Sequence, residues 1–201
     1  MPHVTEAQAE SGGAPPPSAE RLIARLREAV RLGEAAAIAE QVQDDLAELI
    51  ADRGLTLDPR LCEPCAERYA RRLLHREPDG SFTVVVMTWG PGQGTPLHDH
   101  AGIWCVEGVV RGRMEVRQLE LVEEDDDGTC RFEERGRSIS GVGSSGALIP
   151  PFEYHTLANA LGDRPSITLH VYGGEMSRCS VFEDLGDGTF RRRTSSLSYT
   201  E

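Results

Sequence analysis

From residue 81 onward, the sequence consists of short β-branched and apolar segments, each ended by glycine, proline or aspartate. Such segments are too short for typical helices and indicate strands joined by turns. The segments are SFTVVVMTW, IWCVEGVV, RMEVRQLELV, CRFEERGRSIS, GALIP, HTLANA, SITLHVYGG and CSVFEDLG. Many short strands in succession predict an antiparallel sandwich or a small barrel, so we expect this part of the chain to be mainly β.

The N-terminal part of the chain has a helical pattern instead. Two segments that precede Gly54 carry apolar side chains at the spacing of an amphipathic helix, and a third helix is predicted from about Pro59 to His75. Residues 1–17 are polar and rich in glycine and proline, which predicts a disordered tail. We therefore expect one domain over residues 18–201, which consists of a helical cap over 18–77 and a β-barrel over 78–201.

The composition argues against several classes of partner. The chain has 33 acidic and 21 basic residues and a net charge of −12, so it repels phosphate backbones and anionic membrane surfaces. It has no apolar run of the roughly 18 residues that a membrane span requires, and its N-terminal residues lack the pattern of a signal peptide. Its five cysteines follow no disulfide-like arrangement, which favours reduced thiols. We expect a cytoplasmic protein, a monomer or small homo-oligomer, that binds neither nucleic acid nor membrane.

Two histidines that are two residues apart, His98 and His100, mark the first candidate site. On a strand, this spacing directs both imidazoles to the same face, where both can reach one metal ion. His155, on a later predicted strand, would complete a face of three neutral nitrogen ligands. Three protein ligands leave positions open for substrate and O2, as in catalytic metal sites. The alternative is a pair of half-buried polar side chains, and imidazole ligands alone do not select among Fe, Zn, Cu and Ni.

A second candidate site lies on the strand predicted for SITLHVYGG. Thr168, His170 and Tyr172 alternate on this strand and therefore share one face. A hydroxyl, an imidazole and a phenol in this order can form one hydrogen-bonded row that holds the Tyr172 hydroxyl in place. The alternative is a buried tyrosine with a histidine partner and no catalytic role.

Together these segments resemble the two sequence motifs of the cupins, small double-stranded β-helix barrels that hold a metal ion. The first motif is matched at Gly92, His98, His100 and Gly112, with Cys105 in the position of its glutamate. The second motif is matched at Pro150, His155 and Asn159, with Phe152 in place of its inner glycine. The resemblance implies a mainly β fold in which a cupin barrel follows the N-terminal cap of about three α-helices.

A cysteine in the glutamate position is typical of the cysteine dioxygenases, the iron-dependent thiol dioxygenases among the cupins. The sequence resembles this family from about Tyr69 to Phe182. The resemblance implies that Fe(II) is held by His98, His100 and His155. It also implies that the partners are a small thiol and O2, and that L-cysteine is oxidised to cysteine sulfinate.

The same resemblance assigns roles to residues outside the histidine cluster. Arg71, in a Tyr-x-Arg motif, is expected to bind the substrate carboxylate, and Arg72 is the alternative if the alignment is shifted by one residue. The row of Thr168, His170 and Tyr172 corresponds to a catalytic Ser-His-Tyr row, in which Tyr172 donates a hydrogen bond or proton near O2.

Cys105 and Tyr172 correspond to a cysteine and a tyrosine that a thioether joins in mammalian-type cysteine dioxygenases, so this pair is a candidate crosslink. His100 and Cys105 are an odd number of residues apart. Both can face the barrel interior only if Ala101 and Gly102 form a turn or bulge.

Other functions are compatible with parts of this pattern. A 3-mercaptopropionate dioxygenase shares the same histidines but usually has glutamine in place of Arg71. A non-catalytic cupin that binds a ligand or senses a metal would not need the row that ends at Tyr172. Cys62 and Cys65 have the spacing of a redox or zinc pair, but two cysteines at this spacing on a helix are more often core residues.

Overall fold

The structure is a computed structural model that describes residues 17–52 and 55–201. The predicted tail therefore lies outside the described residues, except for Pro17, and so does Gly54. The first helix, α1 (Pro17–Ala29), continues as a short 3-10 helix (Val30–Leu32). The second helix, α2, spans Ala35–Ala51. Both helices lie in the segments where the apolar spacing predicts them.

Within the described residues, eleven strands follow the two helices. All eight predicted segments contain a strand, which confirms the mainly β fold. In chain order the strands are β1 (Ala70–Arg76), β2 (Thr83–Trp89), β3 (Leu97–His98), β4 (Cys105–Arg111), β5 (Arg113–Glu124), β6 (Thr129–Gly141), β7 (Ser145–Leu148), β8 (His155–Asn159), β9 (Ser166–Tyr172), β10 (Arg178–Asp184) and β11 (Thr189–Ser196).

The third predicted helix, from about Pro59 to His75, is wrong. This segment contains a short 3-10 helix (Pro59–Cys62) and then strand β1, which pairs antiparallel with β2. Strand β1 buries one edge of its backbone in the sheet, and pairing with the apolar β2 outweighs the helical spacing of its side chains. The consequence for function is that Arg71 and Arg72 point to opposite faces of a strand.

The strands form two antiparallel sheets that together enclose a β-barrel, as the resemblance to the cupins implies. One sheet has the order β1-β2-β9-β4-β7, and the other closes on itself in the order β10-β11-β6-β5-β8-β3. Strands β2 and β9 are buried along their whole length, because one face is directed to the barrel interior and the other to the helices. Side chains from both sheets therefore meet inside the barrel.

The two helices pack on the outer face of the first sheet. Leu46 and Ile50 of α2 lie over Gly108 of β4, where a methyl group built on the glycine would come within 2.9 Å of the Ile50 Cδ1 atom. The cap and the sheet share one apolar cluster, formed by Leu22, Leu26, Ile38, Val42, Leu46, Leu49, Val84, Val86, Val106 and Leu169, among others. The cap thus covers the outside of the sheet and leaves its inner face free for the site.

No helix within the described ranges combines the length and the apolar character that crossing a membrane requires. All five cysteines are free, and Cys62 and Cys65 do not lie on a helix of the predicted kind.

Candidate metal centre and substrate cavity

His98 and His155 face each other across two paired strands. His98 ends the two-residue strand β3, and its register partner in β8 is His155. The Nδ1 atom of His98 lies 3.1 Å from the Pro96 carbonyl oxygen, and that of His155 lies 2.9 Å from the Glu153 carbonyl oxygen. When each Nδ1–H donates to a carbonyl, the Nε2 lone pair of each ring is left available for a metal ion.

His100 follows β3 and enters the barrel through a tight turn. The Asp99 carboxylate accepts hydrogen bonds from the backbone N–H groups of Ala101 (3.1 Å) and Ser180 (2.8 Å), which anchors this turn to β10. Ala101 and Gly102 both have positive φ angles, of 54° and 82°. The turn that the odd spacing of His100 and Cys105 requires is therefore present, and both side chains are buried in the barrel.

The three histidines form one compact cluster. Ring centroids are 4.5 Å apart for His98 and His155, 5.0 Å for His100 and His155, and 5.3 Å for His98 and His100. One nitrogen from each ring lies within 4.8 Å of the others. Three imidazole nitrogens this close together form a candidate binding site for one metal ion.

The electrostatic surroundings keep the three imidazoles neutral. Burial lowers the pKa of His98, and it lowers the pKa of His100 and His155 well below the usual value, with a further contribution from neighbouring imidazoles. The buried His155 Nε2 and His100 Nδ1 atoms have no hydrogen-bond partner within the described residues. Neutral, unpartnered imidazole nitrogens are the form that binds a metal ion, so the donor set fits a divalent metal.

A cavity of about 100 Å³ opens beside the cluster, and Arg71 lies in its wall. Arg71 is 4% exposed, and its Nη2 atom donates to the Met176 carbonyl oxygen at 2.9 Å. The aromatic rings of Tyr172 and Tyr199 flank the guanidinium, with ring centroids 5.7 and 4.7 Å from its Cζ atom. Arg71 has no carboxylate within 4.0 Å among the described residues, and its Nε atom is buried without a partner.

Arg72 does not line this cavity. Its Nη1 atom donates to the carbonyl oxygens of Leu61 and Glu63, in the segment around the 3-10 helix. The structure therefore brings Arg71, and not Arg72, next to the histidine cluster.

Thr168, His170 and Tyr172 line the inner face of β9, but their hydrogen bonds differ from the expected row. Trp89 Nε1 donates to Thr168 Oγ1 at 2.8 Å, and Thr168 Oγ1 lies 2.7 Å from His170 Nε2. Between His170 and the Tyr172 hydroxyl, the described residues form no hydrogen bond. The two rings lie 6.0 Å apart at their centroids, so the expected continuous row is interrupted after His170.

Tyr172 and Cys105 are direct register partners on β9 and β4. Both side chains are buried and both belong to the cluster that lines the barrel. Burial raises the pKa of both groups well above their usual values, so the phenol and the thiol stay protonated at neutral pH. The arrangement brings the predicted crosslink pair together as neighbours.

Comparison with known protein families identifies the family of this chain. The family model described as cysteine dioxygenase type I matches residues 16–185. The chain belongs to this family.

Curated relatives within the cysteine dioxygenase type I family are distant. Cysteine dioxygenase type 1 from Danio rerio is 24% identical over 116 residues, and that from Homo sapiens is 22% identical over 116 residues. The enzyme of the same name from Rattus norvegicus is 23% identical over 119 residues. In each case the match covers 58% of this chain and 56% of the relative, so the chain spans little more than half the length of these relatives.

The solved structures that match this chain are also distant. The TT1209 protein from Thermus thermophilus is 18% identical, with a TM-score of 0.46, over 60% of this chain and 96% of its own. An uncharacterized conserved protein with a double-stranded β-helix domain from Klebsiella pneumoniae is 18% identical, with a TM-score of 0.48, over 65% and 97%.

Two residues of the site were not anticipated in this member of the cysteine dioxygenase type I family. Glu107, two residues after Cys105, points to the same interior face, where burial raises its pKa to about 8. Side chains two residues apart on a strand face the same way, so the position of Glu107 relative to the inward-facing Cys105 is the signal that would have identified it. Tyr199, which flanks Arg71 from the C-terminal segment, has no comparable signal in the sequence.

Proposed function

We propose that the protein is an Fe(II)-dependent thiol dioxygenase that oxidises L-cysteine with O2 to cysteine sulfinate. The observation that carries the proposal is the pairing, in one small cavity, of three neutral imidazoles with a buried guanidinium that has no acidic partner in the described part of the chain. In the overall reaction, one thiol and one O2 give one sulfinic acid, so both oxygen atoms pass to sulfur.

Arg71 is suited to bind the carboxylate of an amino acid. A buried guanidinium without an acidic partner is costly, and a substrate carboxylate would remove that cost by accepting charge-assisted hydrogen bonds. The unpartnered Nε and the remaining Nη protons provide these donors. The contact would fix the substrate at one end while its thiol points to the histidines.

Three histidine ligands leave room for further donors on a metal ion. Bound iron would supply the open positions at which a thiolate and O2 react. The surrounding cavity wall includes apolar side chains, which restricts water near the reacting sulfur; they belong to Met87, Leu157, Met176 and Val181.

Tyr172 and Cys105 contribute through their protonation states. Because the pKa of the Tyr172 phenol is raised, it remains a hydrogen-bond donor that faces the cavity beside Arg71. Because the pKa of the Cys105 thiol is also raised, Cys105 remains a thiol and does not compete with the substrate thiolate for the metal. Both properties support a site that selects an external thiol. We assign the activity to the cytoplasm, which agrees with five unpaired cysteines.

The role of Arg71 is tested by a matched pair of variants on adjacent residues of β1. We expect Arg71→Met to raise KM for L-cysteine by roughly tenfold to a hundredfold, the cost of one charge-assisted contact, with unchanged iron content. Arg72→Met should leave KM unchanged, because Arg72 binds backbone carbonyl groups away from the cavity. Oxygen-electrode kinetics and iron analysis measure both. An increase in KM for Arg72→Met alone would overturn the assignment.

The choice of thiol is tested with the parent protein. Oxygen uptake is compared with L-cysteine and with 3-mercaptopropionate, which has the carboxylate and thiol but no amine. A higher kcat/KM for L-cysteine supports the proposal. A higher kcat/KM for 3-mercaptopropionate would overturn L-cysteine as the substrate in favour of 3-mercaptopropionate. Absence of uptake with either thiol by the iron-loaded protein would indicate a non-catalytic cupin.

A further inference from the structure

Glu107 places a carboxyl group between the histidine cluster and the Thr168–His170 pair. It is the register partner of His170 on the neighbouring strand. Its Oε2 atom lies 3.5 Å from His170 Nδ1 and 3.8 Å from His155 Nε2. This oxygen is buried and has no hydrogen-bond partner within the described residues. A buried carboxyl oxygen without a partner is costly, so its position calls for an explanation.

The direction of the hydrogen bonds around Thr168 follows from the chemistry of Trp89. An indole nitrogen only donates, so Trp89 Nε1–H occupies one lone pair of the Thr168 oxygen at 2.8 Å. The Thr168 hydroxyl proton can then be donated to His170 Nε2 at 2.7 Å. A neutral imidazole that accepts at Nε2 carries its proton on Nδ1, the atom that faces Glu107.

The opposite direction leaves the Thr168 hydroxyl proton unsatisfied. If His170 Nε2 carried the proton, the Thr168 oxygen would accept from both Trp89 and His170. The Thr168 hydroxyl proton would then have no acceptor among the described residues. The lone pair of His170 Nδ1 could then be satisfied only by a protonated Glu107 that donates to it. Only the first direction pairs every donor with an acceptor, provided that Glu107 accepts from Nδ1–H.

We propose that Glu107 is a positioning residue that accepts a hydrogen bond from Nδ1–H of His170 and so fixes the tautomer and orientation of this imidazole. The chain of donors runs from Trp89 through Thr168 and His170 and ends at Glu107. An oxygen lone pair is available on the carboxyl group whether or not it is protonated, so the role does not depend on its charge.

Space beside Glu107 allows this contact to close. A distance of 3.5 Å is long for a hydrogen bond, and a shift of about half an ångström brings it to the usual range. A second cavity, of about 170 Å³, adjoins Glu107 on the side of β5 and β7. The cavity wall includes Gln118 and Ser145, so the carboxyl group can move without entering a close-packed apolar layer.

The tautomer of His170 can be measured directly. In the full-length chain labelled with 15N histidine, long-range 1H–15N correlation spectra distinguish an Nδ1–H from an Nε2–H imidazole. A His170→Gln variant identifies the signals. We expect the Nδ1–H tautomer in the metal-free chain and in the chain loaded with Zn(II), used here as a diamagnetic probe. An Nε2–H tautomer in the parent chain would overturn the proposal.

Two substitutions at Glu107 separate the effect of its hydrogen-bond acceptor from the effect of its side-chain volume. Glu107→Gln keeps an acceptor oxygen and should keep the Nδ1–H tautomer, whereas Glu107→Leu keeps the approximate volume and should lose it. Glu115→Leu is the control, because Glu115 binds Arg137 at the surface, at 2.7 Å, and should leave the His170 signals unchanged. An unchanged His170 tautomer in Glu107→Leu would show that Glu107 only fills space.

The effect of Glu107 on catalysis rests on the proposed function, whereas its effect on the His170 tautomer does not. With L-cysteine, we expect Glu107→Leu to lower kcat on the order of tenfold with little change in KM, and Glu107→Gln to restore most of kcat. If the parent protein takes up no O2, the proposed function fails while the spectra still decide the role of Glu107. If the parent is active and Glu107→Leu retains full kcat, the positioning role is overturned.

Discussion

At the scale of single residues, burial sets the protonation states that the site needs. The histidines stay neutral, and the Tyr172 phenol and the Cys105 thiol stay protonated, because each would have to carry its charge in the barrel interior. Arg71 is the exception, because its buried guanidinium carries a positive charge. Among the described residues, this cation has no carboxylate partner. The site therefore combines neutral nitrogens that are available to a metal ion with a fixed positive charge.

His170 should make stability depend on pH. Burial and the nearby Arg71 charge lower its pKa from 6.5 to about 3, so the unfolded chain binds a proton between these values that the folded chain does not. This contribution to stability is present above pH 6.5 and is lost as the pH falls. Between pH 7 and 5 the loss is about 2 kcal/mol for this residue.

The measurement is urea unfolding of the metal-free protein at pH 7, 6 and 5, for the parent and for His170→Gln. The variant should lose about 2 kcal/mol less stability over this range than the parent, because it lacks the titrating group. Equal pH dependence in the two proteins would show that His170 does not carry a lowered pKa.

At the scale of elements, strand pairing decides what the local sequence leaves open. The apolar runs of β2 and β9 were predictable, because their composition and length fit only a buried strand. The segment of β1 was not, because its apolar residues also fit helical spacing and only pairing with β2 selects the strand. Strand β11 was missed because it is mostly polar and is stabilised by pairing with β10.

The turn between β4 and β5 offers a test of close approach at Gly112. A Cβ atom on this residue, which has φ of 82°, would lie 2.9 Å from Ser166 Cα. Gly143 has a similar φ of 87° but no atom within 4 Å, so it is the matched control. Gly143→Ala should cost about 1 kcal/mol in unfolding free energy from the backbone alone. Gly112→Ala should cost about 1–3 kcal/mol more because of the overlap. Equal costs in chemical denaturation would contradict the packing described for this turn.

The register of β4 and β9 makes Cys105 and Tyr172 the candidates for a thioether. After the iron-loaded protein has turned over with L-cysteine in air, we expect a fraction of the chains to lose two hydrogen atoms. Peptide mapping should link the Cys105 and Tyr172 peptides. Cys105→Ser should abolish the link, and Cys130→Ser should not, since Cys130 lies in a different cluster. If the chain kept its full mass after prolonged turnover and no linked peptides were found, the crosslink would be contradicted.

At the scale of the whole molecule, the site is assembled from segments that are distant in the chain. The histidines were identifiable from their motifs, but the environment of Arg71 was not. Its backbone N–H donates to Thr200 Oγ1 at 3.0 Å across 129 residues, and Tyr199 covers its guanidinium. Such contacts depend on how the C-terminal segment returns to β1, which no local pattern records. Glu107 lies between these cases, because strand alternation from Cys105 predicts its inward direction but not its partner His170.

The cap belongs to this larger scale as well. Helices α1 and α2 share an apolar cluster with the outer face of the first sheet, while the site occupies its inner face. The division of the chain into a cap over 18–77 and a barrel over 78–201 remains a prediction. Strand β1, which carries Arg71, lies within the range predicted for the cap but pairs with the barrel sheet.

The fate of oxygen decides whether the histidine cluster and Arg71 form a thiol dioxygenase site. The iron-loaded protein is supplied with L-cysteine and 18O2, and the product is analysed by mass spectrometry. We predict cysteine sulfinate that carries two 18O atoms, with one O2 consumed for each sulfinate formed. Cystine formed together with hydrogen peroxide, or sulfinate with fewer than two labelled atoms, would contradict the claim.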